Sequence, residues 1–110
     1  MKIAMLLKSG PSTDNAGRAL QAADDMMAQG HAVSLYLLQE AVRFRQPREG
    51  CPNTAKLQEL IAKKLEVNVL TQDADLRGID VAAAGSAISN GTYDSLVDLM
   101  ASSDRVVGIL

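Results

Sequence analysis

Apolar residues fall into two kinds of run along this chain, and the two kinds alternate. Ile3 to Leu7 is uninterrupted and of strand length, the pattern of a strand buried on both faces. The next apolar residues, Ala16, Ala19, Leu20, Ala23, Met26 and Met27, recur at helical spacing; Ser12 or Asp14 can cap that helix and Gly30 can stop it. A second strand is expected over 32–38, then a short helical turn over 40–44 and a polar loop over 45–50, which Pro47 and Pro52 keep irregular. Leu57, Leu60, Ile61 and Leu65 mark a second helix, capped by Asn53 or Thr54. A third strand over 67–71 breaks into a polar turn from Thr71 to Asp75, followed by an Arg77-Gly78 turn. Small apolar residues then run from Val81 to Ile88, with a fourth strand at 86–89. Asn90-Gly91-Thr92 caps a last helix whose buried stripe is Tyr93, Leu96, Val97 and Met100, with Asp94 at its positive end. Strand five is expected over 105–109.

Strands that alternate with helices predict an α/β fold, a parallel sheet with helices on both faces. In such a sheet sites are built beyond the carboxyl ends of the strands, so the change from Val69-Leu70 to polar residues locates a site before its chemistry is known. The length of 110 residues suits one domain, 1–110.

Composition narrows the function classes. With aromatics at 3% and a net charge of −2, base stacking and phosphate neutralisation both lack material, so no direct nucleic-acid partner is expected. The apolar start after Lys2 is cut short by Lys8 and Gly10, too soon for a signal peptide, and no run approaches the ~18 apolar residues of a membrane span. One cysteine allows no internal disulfide, which fits a cytoplasmic location.

Several constellations could carry chemistry. One histidine, His31, and one cysteine, Cys51, give no metal-ligand spacing, so neither metal nor cofactor is expected, and His31 reads as a helix-end residue. The turn Ser9-Gly10-Pro11-Ser12 precedes a helix and can either receive an anion or simply cap it. Asp73, Asp75 and Asp80 gather beyond strand three, where capping the turn 73–77 or pairing with Arg77 accounts for them. Cys51 lies near Arg43, Arg45 and Arg48 and just before a helix, both of which favour a thiolate, whereas Glu49 and burial oppose it; a reactive and an incidental thiol both remain open.

The segment VLTQDADLRGI, Val69 to Ile79, resembles the strand-end segment of the DsrE/DsrF-like family, sulfur-relay proteins with TusD-like and YchN-like members. The ending from Ile88 to Leu110 is similar to that family's Gly-Thr helix and closing strand. The resemblance implies a three-layer α/β/α sandwich around a five-stranded parallel sheet ordered 4-3-2-1-5, assembly into a homo-oligomer (trimer or hexamer), and transfer of sulfur as a cysteine persulfide. Other sulfur-relay subunits are the further partners it implies. Arg77, Gly78 and Ile79 match the family pattern, but its two cysteine positions fall on Leu70 and Asp73, which cannot carry sulfur. The expectation is therefore a non-catalytic structural or regulatory subunit. Two alternatives stand beside it: a persulfide carrier using Cys51, or a small-ligand-binding protein with a strand-end pocket of Ser9, Gly10, Thr71, Asp73, Arg77, Gly78, Gly91 and Thr92. Ala82 to Ala87 and Phe44 are the expected contacts between copies.

Overall fold

The computed structural model describes residues 1–46, 50–79 and 88–108. Five strands, β1 (Lys2–Leu7), β2 (Ala32–Leu37), β3 (Glu66–Leu70), β4 (Ser89–Gly91) and β5 (Arg105–Val107), pair in the order β4-β3-β2-β1-β5. Every pairing is parallel, with Met5 opposite Leu35, Leu37 opposite Val69, and Leu70 opposite Gly91. The all-parallel sense is that expected from the strand-helix alternation, and the strand order is the one the family resemblance implies.

The two-residue alternation of each strand sorts the core into two halves. Ile3, Met5 and Leu7, with Val33, Leu35, Leu37, Val67 and Val69, pack against Leu20 and Ala23 of helix α1 (Asp14–Ala28) and Leu57 and Leu60 of helix α2 (Pro52–Ala62). The alternate residues Leu6, Tyr36 and Leu70 form a smaller cluster with Leu38, covered by Leu96, Leu99 and Met100 of helix α4 (Tyr93–Ser102). Helices on both faces complete the three layers. Ser34 and Glu66 share the α4 face, and the Ser34 hydroxyl donates to the Glu66 carboxylate at 3.0 Å.

Local details depart from the sequence reading for identifiable reasons. Helix α1 is capped by Thr13, not by Ser12 or Asp14; its hydroxyl accepts from the Ala16 N–H at 3.2 Å and donates to the Gly10 carbonyl at 2.8 Å. Helix α2 starts earlier than expected, with Pro52 in its first turn and Cys51 at the cap position, where its side chain makes no capping bond, so neither Asn53 nor Thr54 caps it. The polar turn after β3 is instead helix α3 (Thr71–Leu76), held down by the buried Ala74. The expected helical turn near residue 40 is a 3-10 helix, Gln39–Arg45. Thr92 caps α4 as expected, and Ser95 completes a capping box.

On α4 the buried stripe is narrower than predicted: Tyr93 is 53% exposed and Val97 57%. At about 100° per residue, Leu96, Leu99 and Met100 share one line, Val97 lies a quarter-turn away, and Tyr93 sits at the stripe's margin on the first helical residue. Phe44, expected between copies, is only 1% exposed and belongs to the main core, which removes it from any contact surface. Ala82 to Ala87 lie outside the described residues, as do Asp80, Arg48, Glu49 and the ends of the expected strands at 86–87 and 109. Among the described residues no helix is long and apolar enough to cross a membrane.

Candidate functional site at the carboxyl end of the sheet

The carboxyl ends of β1, β2 and β3 open into the loop before α1, the 3-10 helix and α3 respectively. Between the first two and the start of α2 lies a groove of about 1170 Å³, with Gly10 and Pro11 on one wall, Glu40 and Arg43 on another, and Cys51 at one end. Asn53 braces it, its amide donating to the Pro11 carbonyl at 2.7 Å and the Thr13 carbonyl at 3.0 Å. Gly17 lets α1 approach this brace, since a β-carbon there would stand 3.1 Å from the Asn53 amide oxygen. The Cys51 thiol is half-buried and donates to the Pro11 carbonyl at 3.5 Å.

A charged cluster borders the groove. One Glu40 carboxylate oxygen lies 2.5 Å from Arg43 Nε and the other 3.1 Å from Arg77 Nε. These two guanidinium groups, Arg43 first, hold the Glu40 carboxyl below its ordinary 4.5. Arg77 also donates from Nη1 to the Asp73 carbonyl at 3.2 Å. Capping of the turn 73–77 or pairing with Arg77 is what the sequence predicts for Asp73; its carboxylate makes no ion pair with Arg77 and instead accepts the Gln39 N–H at 2.7 Å, which ties α3 to the start of the 3-10 helix. Gln39 has φ +49, a left-handed conformation that this cross-link supports. Arg45 donates to the Ile88 carbonyl.

A second polar knot ties the ends of β2, β3 and β4 to α4. The Tyr36 hydroxyl donates to the Thr92 carbonyl at 2.9 Å and lies 2.7 Å from the Ser95 hydroxyl, while Thr71 donates to the Gly91 carbonyl at 3.0 Å. Burial raises the Tyr36 phenol above its ordinary 10.0, although the Ser95 contact opposes the shift.

Of the eight residues read as a strand-end pocket, Gly10 alone lines the groove. Thr71, Gly91 and Thr92 belong to the Tyr36 knot, Asp73 and Arg77 to the charged cluster, and Gly78 to an exposed turn at φ +67; Ser9 is half-buried beside Gly10. Leu70 is buried beneath α4. His31 follows the turn at Gly30, its Nδ1 3.3 Å from the amino-terminal nitrogen. Among the described residues no cluster of His, Cys, Asp and Glu is arranged to hold a metal ion. The sequence reading missed Glu40, Gln39, Tyr36 and Asn53. Only the Glu40–Arg43 pair, three residues apart, carried a local signal.

A sequence model of the DsrE/DsrF-like family matches residues 1–108. Among solved structures the chain is similar to the YchN protein from E. coli, whose crystal structure aligns with a TM-score of 0.85 at 23% identity, over 100% of this chain and 99% of that one. No curated protein matches.

Proposed function

Because the chain belongs to the DsrE/DsrF-like family, we propose that it serves as a non-catalytic structural or regulatory subunit of a sulfur-relay assembly in the cytoplasm. The observation that carries this reading is the use made of the two positions where the family resemblance sets cysteines. Leu70 is buried in the apolar cluster under α4, and the Asp73 carboxylate is spent on the Gln39 N–H at 2.7 Å. Neither offers a thiol to carry sulfur, and both hold elements together. A role in assembly draws further support from α4, whose Tyr93 and Val97 are solvent-facing apolar side chains suited to contact between copies in a trimer or hexamer, or with another sulfur-relay subunit. Intact-mass spectrometry after incubation with inorganic polysulfide tests the reading. The expected result is a self-associating protein that gains no sulfur mass.

A second reading, a persulfide carrier on Cys51, is favoured by the placement of that thiol beside a solvent-open groove near Arg43 and at the start of α2. Rapid alkylation of Cys51 by iodoacetamide near neutral pH, with a polysulfide-dependent mass gain lost in Cys51→Ser, would put this reading ahead of the first.

A further inference from the structure

The Glu40 cluster has the form of an occupied anion site. Two guanidinium groups from separate elements, Arg43 on the 3-10 helix and Arg77 after α3, converge on the two oxygens of one carboxylate. Guanidinium forks recognise carboxylates and other oxyanions through such paired contacts. The carboxylate that fills the fork is tethered only through its own side chain, which is 52% exposed. It also stands on the wall of the groove, beside Gly10. The groove adds a further cation, Arg18, which forms no ion pair among the described residues, and the amides of Gln21, Gln46 and Asn53. Among the described residues it has no aromatic lining.

We propose that this groove binds a small, non-aromatic ligand through an oxyanion group, which replaces the Glu40 carboxylate between Arg43 and Arg77. Glu40 is a built-in placeholder: it keeps the two arginines aligned while the groove is empty and swings into solvent when a ligand arrives. Exposed ion pairs are weak, so an incoming anion needs only a modest advantage to displace it. The volume suits a molecule of several functional groups, whose remaining polar atoms meet the Gln46 amide and the amide oxygens of Gln21 and Asn53, whose nitrogens already donate within the protein. This proposal does not depend on the non-catalytic reading, because it uses neither Leu70 nor the Asp73 carboxylate.

The test is titration of the full chain with thiosulfate, inorganic phosphate and succinate, followed by calorimetry and by the arginine Nε–H resonances. Arg43 and Arg77 Nε–H signals should move together and saturably with at least one probe. Which probe binds most tightly separates a sulfur oxyanion from phosphate and from a carboxylate. Removing the placeholder in Glu40→Gln should tighten binding about two- to thirtyfold, the range set by the loss of two exposed ion pairs. Asp14→Asn, which removes an equal charge from the groove wall, should tighten it less, and Arg43→Gln should abolish saturation. The proposal is overturned if neither arginine signal responds to any probe, if Glu40→Gln binds no tighter than the unaltered chain, or if Asp14→Asn matches it.

Discussion

Replacing Gly91 by alanine strikes the point where β4, α4 and the aromatic side chain of β2 meet. A β-carbon at Gly91 would lie 2.7 Å from Tyr36 Cζ and 3.0 Å from Ser95 Oγ, and closer still to the Tyr36 hydroxyl. Real β-carbons do not approach ring atoms so closely, so something must move. Tyr36 is 1% exposed and packed among Leu6, Leu38 and Leu70, which leaves the ring no empty space to enter. Overpacking of this kind costs about 1–3 kcal/mol. Any displacement that relieves it pulls the phenol from the Thr92 carbonyl and Ser95 hydroxyl, and a buried polar group left without partners costs about 1–3 kcal/mol. The two effects trade against each other, so the expected loss is about 2–4 kcal/mol, equivalent to roughly 8–16 °C in Tm for a chain of this size. Urea denaturation with far-UV circular dichroism measures it. The discriminating variant is Tyr36→Phe, which deletes the oxygen that the new methyl group meets first. Combined with Gly91→Ala, it should be less destabilising than the sum of the single changes by more than about 1 kcal/mol. A Gly91→Ala protein within about 0.5 kcal/mol of the parent, or strict additivity in the double variant, would refute the steric reasoning.

Thr13→Ala should cost about 0.5–2 kcal/mol in the same denaturation assay, since the hydroxyl that accepts the Ala16 N–H is lost, whereas Ser12→Ala should be nearly silent. Glu40 has a folded pKa below its ordinary 4.5, so its stabilising contribution is present above that pH and disappears as the pH falls through the lower folded value; Glu40→Gln should flatten the acid limb of the stability profile, and its failure to do so would contradict the clamp. Tyr36 shows the opposite sign: its folded pKa lies above 10.0, its contribution is complete below that value, and it is lost as the pH rises through the folded pKa. Tyr36→Phe should therefore flatten the alkaline limb. Val97→Lys should leave denaturation within about 0.5 kcal/mol, because the side chain already faces solvent. It should also shift sedimentation toward smaller species if α4 mediates self-association.

The sheet was legible because its signals are local and redundant. Each strand is a short apolar run and most helices are spaced ones, while the order of the strands was legible only through the family resemblance. Capping was less legible, since Ser12, Thr13 and Asp14 are all competent and only the geometry of the preceding turn selects the middle one. Helix α3 gave no start signal: Leu70 occupies its cap position, and the helix is stabilised by Ala74 packing and by the bond from Gln39 to Asp73. The candidate groove lies at the end of the sheet where the sequence reading looks for a site, yet most of the connections around it cross the chain. Arg77 and Glu40 are 37 residues apart and Tyr36 and Ser95 are 59 apart, distances over which no periodicity speaks. Asp73 was visible as a carboxylate beyond a strand, but its partner is a backbone N–H, and every residue except proline carries one.

Helix α4 contains no fully buried residue, while the opposite layer rests on a continuous core of wholly enclosed side chains. Cohesion in this molecule is therefore graded across the sheet. The α1–α2 side should exchange its amide hydrogens only when the entire chain opens, and α4 should exchange through smaller, separate openings governed by the Tyr36–Thr92–Ser95 knot. An element that detaches at low cost can exchange its covering of the sheet for contact with another molecule without unfolding the rest, so the weakest-held layer is also the one best able to adapt to whatever it touches.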